Sequence, residues 1–350
     1  MSAVDVPKKV LLLHNHDNTW TDADLIEVAE ENRILMAGLR AQGYDVEDVK
    51  VYDSVTRALR AKNYRPEDWL IFNWCEGYAD RPWDYDGVAA ELEQLGFIYT
   101  GAGSQALRLS RDKWLVRRLL AETGVSLPRG AVAHNPSELE WNLFPAIVKP
   151  LNQHGSYGIS RDSIVEDEAQ LRRQIEYVRD TFQSSAVIEE YIDGPEFHVT
   201  VWGNSPPEVL PAVQLEYSHA IDRRDQIYTY DAKFDEQSEA MKRLRFLCPA
   251  MMETDTRAAV RSNSLRAYEA LKCRDYARVD LRVRDSQAYV IDVNANADIN
   301  SESIVLMAVE AAGMNYNGMV AQIVRFAAER WAAAPRSVLA AQSQTFAFRS

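Results

Sequence analysis

Two short segments near the C-terminus carry residue types suited to phosphate chemistry. Arg278, Asp280 and Arg282 alternate along one stretch, and alternate residues of a strand share a face. Asp292 and Asn294 alternate at the end of the apolar run that begins at Ala288. Between them Arg284-Asp285-Ser286-Gln287 reads as a polar turn. Pairing of the two strands gathers Asp280, Asp292 and Asn294 at one end of a sheet, with Arg278 alongside. Hard oxygen ligands next to a fixed guanidinium suit Mg²⁺ held on the phosphates of a nucleotide. A half-buried hairpin with a solvated charged face gives the same alternation. The run Asp292-Val293-Asn294-Ala295-Asn296, acid and amides after an apolar strand, favours the metal.

Other segments supply cations and acids that match. Lys113 follows Ser110-Arg111-Asp112 at the start of a helix, and Lys149 sits at the tip of the strand Ala146–Pro150. Asn152-Gln153-His154-Gly155-Ser156-Tyr157-Gly158 comes next, a Gly/Ser loop of the kind that covers a triphosphate, because glycine lets backbone N–H groups approach phosphate oxygens. It is not a P-loop, since no Gly-Lys-Ser/Thr enters a helix, and a plain hairpin turn fits it as well. The strand from Ala186 emerges into Glu189, Glu190 and Ile192 and then Gly194-Pro195-Glu196. There backbone and acid groups can hold an adenine amino group, with Glu196 on the ribose, or form a solvated hinge. Lys233 lies in an aromatic segment with Tyr228 and Tyr230, which reads as mobile. Glu76 follows a strand end, where ligands bind in open α/β sheets; a surface acid at a turn fits equally. Ser303 caps a final helix whose N-terminus can receive a carboxylate.

The elements that position these residues follow from periodicity. Up to about residue 102, strands near Lys9–His14, Tyr44–Val51, Trp69–Trp74 and Ile98 alternate with helices over Asp22–Gln42 and Asp84–Leu95. Such alternation predicts an α/β unit with a parallel sheet. Thr21 caps the first helix and Gly43 ends it. Amphipathic helices are expected near Asp255–Leu271 and Asn317–Trp331. With 350 residues the chain calls for two or three domains. Its net charge of −13 argues against a nucleic-acid surface. Cys75, Cys248 and Cys273 lack metal spacing and read as reduced thiols in a cytoplasmic protein. No apolar run is long enough for a signal peptide or membrane span. His14 and His16 find no third ligand in the pattern, which favours a substrate-facing loop over a metal site.

In order, Tyr99-Thr100-Gly101, Asp112-Lys113, Val148-Lys149-Pro150 with its loop, Val187-Ile188-Glu189, Gly194-Pro195-Glu196-Phe197, Lys233, Arg278-Val279-Asp280 and Asp292-Val293-Asn294 resemble the motifs of the ATP-grasp superfamily, in particular the D-alanine–D-alanine ligase family. The resemblance runs from about Leu39 to Arg325. It implies an α/β fold, α+β in parts, with three domains: 1–102 for substrate, 103–190 and 191–335 gripping ATP between them, and a tail at 336–350. It implies that Lys113 and Lys149 contact ATP phosphates, that Glu189, Glu190 and Ile192 line the adenine pocket and that Glu196 binds ribose. Arg278, Lys233 and Ser156 form the catalytic group, and Asp280, Asp292 and Asn294 hold two Mg²⁺ ions, with Mn²⁺ as an alternative. Ser303, Glu76 and Asp298 fall to the carboxylate and amine substrates. The usual form is a homodimer, with neither nucleic acid nor membrane as partner.

Departures from the family pattern fall at one metal-binding acid and otherwise on the substrate side. Asp292 stands where a glutamate is usual, and Ala297-Asp298 replaces a Pro-Gly pair whose glycine N–H faces the tetrahedral intermediate. The glycine-rich first turn is absent: His14-Asn15-His16-Asp17 and Trp20 stand there, and Glu27 is the nearest candidate for the substrate-binding acid. Asn73-Trp74-Cys75-Glu76-Gly77 differs too. The expected activity is therefore an ATP-dependent carboxylate–amine ligase working through an acyl phosphate on amino-acid-like substrates of specialised metabolism. The alternatives are D-alanine–D-alanine ligase itself and a catalytically inactive nucleotide-binding protein.

Overall fold

The computed structural model describes residues 8–152, 156–217, 222–235 and 237–333, so Gln153-His154-Gly155 of the expected phosphate loop and the expected tail at 336–350 lie outside the described residues. Three sheets organise the chain. The first is parallel, in the order β2-β1-β3-β4. Its strands are β1 (Lys9–Asn15), β2 (Asp45–Val51), β3 (Leu70–Trp74) and β4 (Ile98–Tyr99), separated by α1 (Asp22–Ala41), α2 (Val55–Ala61) and α3 (Tyr85–Leu95). Thr21 caps α1 in a capping box with Asp24, and Gly43 follows it at φ 84°.

After α4 (Ser104–Ser110) and α5 (Lys113–Glu122), the second sheet is antiparallel in the order β5-β8-β6-β7. It comprises β5 (Gly130–Ala133), β6 (Ala146–Pro150), β7 (Ile164–Val165) and β8 (Ala186–Glu190). Helix α6 (Glu168–Phe182) covers one face, burying Leu171, Ile175 and Val178 against Val148 and Ile188.

The third sheet runs β12-β11-β9-β13-β14, with β10 beside β9. It contains β9 (Glu196–Trp202), β10 (Glu208–Val209), β11 (Val213–Tyr217), β12 (Leu244–Leu247), β13 (Tyr276–Arg284) and β14 (Gln287–Asn294). The segment expected to be mobile contains a short helix, α7 (Tyr230–Phe234), capped by Thr229, followed by α8 (Glu239–Lys242). Strand alternation splits this sheet into two chemistries. Phe197, Val199, Val201, Val279 and Leu281 pack on α9 (Thr254–Ala270) and α5. Glu196, His198, Thr200, Arg278, Asp280 and Arg282 are also buried, on the opposite face. The β13–β14 turn places Asp285 and Ser286 at φ 52° and 60°, the left-handed pair of a tight hairpin.

The last helices, α10 (Ile304–Ala311) and α11 (Tyr316–Ala333), pack back on the first sheet: Val305, Val309, Val320 and Ile323 share a core with Leu12, Leu35 and Phe72. Periodicity marked them as packing helices but carried no sign of this long-range partner. Among the described residues no helix is long and apolar enough to cross a membrane.

One glycine sets the entry to β9. At Gly194 a Cβ would lie 1.9 Å from the carbonyl oxygen of Val283. The Val283 N–H donates to Pro195 O at 3.0 Å, so the two backbones are locked at this approach. Gly194→Ala should lower the unfolding free energy by about 2–3 kcal/mol in denaturant titration, since the backbone must shift to admit the methyl group. Unchanged stability would show that the loop relaxes freely.

Candidate active site

The polar face of the third sheet is built by register. Asp280 of β13 sits opposite His198 of β9 and Asp292 of β14, while Arg278 sits opposite Thr200 and Asn294. The Arg278 guanidinium donates Nε and Nη2 to the Asp280 carboxylate at 2.7 and 2.9 Å. Asn294 Nδ2 donates to the same carboxylate at 3.2 Å. Burial pushes the Asp280 carboxyl up, but Arg278, His198 and Lys233 together hold it below its ordinary value. One step along, Arg282 donates to Glu196 Oε2 at 3.1 and 3.0 Å, and Tyr217 Oη at 3.2 Å. Burial again works against ionisation, and Arg282 and His198 outweigh it, holding the Glu196 carboxyl at about 2.

A β-bulge shapes the rim. Leu281 pairs with Val290 and Asp280 with Asp292, so Ile291 is the extra residue. Such a bulge re-aims its neighbours. Here Asp292 is left exposed at the cleft, and the Ile291 carbonyl accepts from Lys149 Nζ at 3.4 Å.

The second sheet closes the cleft from the other side. Lys149 Nζ donates to Glu189 at 2.8 Å, and Arg117 donates to the same carboxylate at 3.0 Å. Lys113 opens α5 directly after Asp112, which accepts from the N–H groups of Trp114 and Leu115. Burial pulls the Lys113 ammonium below its ordinary value, Asp292 opposes this, and Lys149 adds to it. Glu190 turns to Arg284 at 2.7 Å. Ile147, Ile159, Ile192 and Ile227 give the pocket apolar walls. From α7, Lys233 lies over the Tyr228 ring at 5.7 Å, and burial, reinforced by Arg278, lowers it to about 8. Tyr157 meets Tyr230 edge to face at 5.6 Å, joining the described end of the loop to α7.

One cavity thus brings together Lys113, Lys149, Ser156, Glu189, Glu190 and Ile192 from the second sheet's side with Glu196, Lys233, Arg278, Asp280 and Asp292 from the third's. Asn294 reaches it through Asp280. Glu76, Asp298 and Ser303 do not line it. Ser303 Oγ accepts from Leu306 N at 3.1 Å as the cap of α10. Glu76 follows β3, its N–H held by Asn15 Oδ1 at 3.1 Å. Burial, then Asp298, raises its carboxyl to about 7 despite a hydrogen bond with Tyr85. Asp298 is solvent-exposed, yet desolvation raises it while Arg278 and Lys233 pull the other way. Asp298 Oδ1 accepts from the Asn300 N–H at 2.9 Å, and its charge is felt at Glu76. Glu27 on α1 is exposed, and among α1 acids Glu31 makes the inter-element contact, accepting Ser301 N and Oγ at 3.3 and 2.9 Å.

Sequence reasoning missed His198 in this cleft and Arg117 behind Glu189, and it named Tyr228 only as part of the aromatic segment around Lys233. His198 could have been found as the alternate residue after Glu196, and Arg117 as the residue one turn after Lys113. Among the described residues no group of three or more His, Cys, Asp or Glu side chains converges to hold an ion. The donors are two carboxylates and one amide, with the Asn294 amide nitrogen now turned to Asp280. That set fits a hard cation that takes its remaining ligands from phosphate oxygens and water, as Mg²⁺ does, and does not fit zinc.

Two outcomes follow from this geometry. Lys149→Ala leaves Glu189 its Arg117 partner, so the fold should survive while the KM for ATP rises at least about tenfold; an unchanged KM would make Lys149 structural. The folded Glu76 keeps its proton to about pH 7, against an ordinary 4.5. The folded state therefore binds more protons across that window, and stability falls as pH rises through it. Glu76→Gln should stabilise the protein on the order of 2 kcal/mol at pH 8 and not at all at pH 4; a pH-independent effect would contradict the shift.

Comparisons with known proteins agree with this architecture. Residues 126–325 match the family described as D-ala D-ala ligase C-terminus. A D-alanine–D-alanine ligase of Desulforudis audaxviator is 31% identical over 307 residues, 85% of this chain and 92% of that protein. An uncharacterized protein of Sinorhizobium fredii is 31% identical over 264 residues, 75% of each chain. The crystal structure of D-alanine–D-alanine ligase from Bacillus anthracis complexed with ATP superposes with a TM-score of 0.69 at 20% identity, over 91% of this chain and 97% of that one, which establishes the shared fold. The chain belongs to the D-alanine–D-alanine ligase family of ATP-grasp enzymes and is an ATP-dependent carbon–nitrogen ligase.

Proposed function

We propose that the chain joins a carboxylate to an amine on amino-acid-like substrates other than two D-alanines, in specialised metabolism of the cytoplasm. What carries this reading is Asp298, an acid where the family pattern has a glycine, within electrostatic reach of Arg278, Lys233 and Glu76. An acid at that point adds negative charge beside the reacting carbonyl, which disfavours a developing oxyanion unless the substrate brings compensating positive charge.

In this reading ATP lies between the units 103–190 and 191–335, with 1–102 presenting the other substrates. Glu189, Glu190 and Ile192 take the adenine end and Glu196 the ribose. Lys113 and Lys149 neutralise phosphates, and the loop at Ser156 covers them. The substrate carboxylate attacks the γ-phosphorus, the β–γ bridge breaks, and ADP leaves. Arg278 and Lys233 stabilise charge on the transferred group, so positioning and electrostatics supply most of the acceleration. The amine nitrogen then attacks the acyl carbon, and phosphate departs with the bonding electrons. Ser303, at the start of α10, takes a substrate carboxylate, and Glu76 and Asp298 face the amine side. Mg²⁺, as two ions or replaced by Mn²⁺, would be held by Asp280, Asp292 and Asn294 and would neutralise charge on the phosphates. The working form in this reading is a homodimer.

The activity for which several relatives are named supports D-alanine–D-alanine ligase as the second reading; Asp298 counts against it. An inactive nucleotide-binding protein is disfavoured by the retention of Lys113, Lys149, Arg278 and Asp280 in one cavity.

The test is ADP release from ATP and Mg²⁺ with D- and L-amino acids and amines, singly and in pairs, with mass spectrometry of products. A pair other than two D-alanines should give the fastest release and a product of summed mass less water. Fastest turnover on two D-alanines would overturn the substrate assignment.

A further inference from the structure

His198 stands between the two carboxylates that the proposed reaction would use. It follows Glu196 on the polar face of β9 and lies opposite Asp280 in register. Its Nε2 is 3.1 Å from Glu196 Oε1 and 3.8 Å from Asp280 Oδ2. The side chain is 1% exposed, borders the cavity, and packs its ring against Tyr228 at 5.6 Å. Among the described residues Nδ1 has no hydrogen-bond partner. Carboxylate oxygens accept, so the hydrogen bond to Glu196 places an N–H on Nε2.

Each acid already has its own arginine, Arg282 for Glu196 and Arg278 for Asp280. Without His198 these would be two independent ion pairs, two residues apart on neighbouring positions of the sheet. Among the described residues Glu196 Oε1 takes no other side-chain donor: Arg282 and Tyr217 both use Oε2. The Nε2–H is therefore what orients Oε1, leaving its second lone pair to the cavity.

The geometry points to His198 as a positioning residue, whose Nε2–H aims the Glu196 carboxylate at the nucleotide sugar and whose ring sets the spacing between that carboxylate and the metal-holding Asp280, 3.8 Å from the same nitrogen. A nucleotide gripped at its ribose then arrives with its phosphates in register with Asp280. This rests on the proposed roles of Glu196 and Asp280, so the experiment reads those roles in the unaltered protein first.

Calorimetry of the full chain, without carboxylate or amine, compares ATP with 2′,3′-dideoxy-ATP, each with and without Mg²⁺, for the wild type, His198→Leu and His198→Gln. Glutamine carries a donor near the position of Nε2; leucine has none. The wild type should prefer ATP by about tenfold or more, the scale of a hydrogen bond to a charged group, and should bind it more tightly with Mg²⁺. His198→Leu should lose most of both effects, and His198→Gln should regain them. A wild type indifferent to the ribose hydroxyls sinks the Glu196 assignment, and one indifferent to Mg²⁺ sinks that of Asp280. If the wild type shows both effects, their persistence in His198→Leu, or equal loss in the glutamine variant, overturns the role of His198. Should the leucine variant fail to fold, His198→Asn replaces it, because its shorter amide cannot reach Glu196.

Discussion

A buried guanidinium and carboxylate on one strand face constrain everything around them. Arg278 and Asp280 are both about 6% exposed, so each would pay a large desolvation cost alone. Their bidentate contact answers part of that cost and leaves further lone pairs to satisfy. Asn294 arrives at Asp280 only because β14 is in register on that side of the bulge at Ile291, where the pairing shifts by one residue. His198 fills the other side from β9. The same logic repeats at Arg282 and Glu196. A sheet that is apolar toward α9 and ionic toward the cleft is a consequence of strand alternation applied to charges that water cannot reach.

Among the described residues, five Lys and Arg and five Asp and Glu side chains line the cleft. Lys113 and Lys233 are both pushed toward deprotonation by burial, and each is pushed further by a neighbouring cation. A bound anion would oppose that shift on both lysines. Arg117 holds Glu189 independently of Lys149. A different balance holds outside the cleft. There Glu76 and Asp298 oppose each other, and the cations of the cleft reach only one of them.

Local signals carried the readable part of this structure. The β13–β14 hairpin was legible from Arg284-Asp285-Ser286-Gln287, because its two left-handed residues suit a short polar turn. Thr21 and Ser303 announced their helices through capping chemistry. The lysines and acids were legible as ordered motifs, and the cavity gathers most of them. What stayed hidden depends on distance along the chain. Nothing local in α11 says that its apolar stripe completes the core beneath β1 and β3. The bulge at Ile291 has no residue signature, since a one-residue insertion is defined only against its partner strand. His198 reads as an ordinary strand residue until Asp280 is placed across from it.

The central claim is that phosphate passes to a substrate carboxylate before the amine attacks. The direct measurement uses the amino-acid pair that best stimulates ADP release, with the donor carboxylate labelled with ¹⁸O. If an acyl phosphate forms, one labelled oxygen per turnover leaves with the inorganic phosphate. Appearance of ¹⁸O in phosphate at the rate of amide formation is the predicted result. Amide formation with unlabelled phosphate would contradict the account, because the carboxylate oxygen would then have left by a route that never touched the γ-phosphorus.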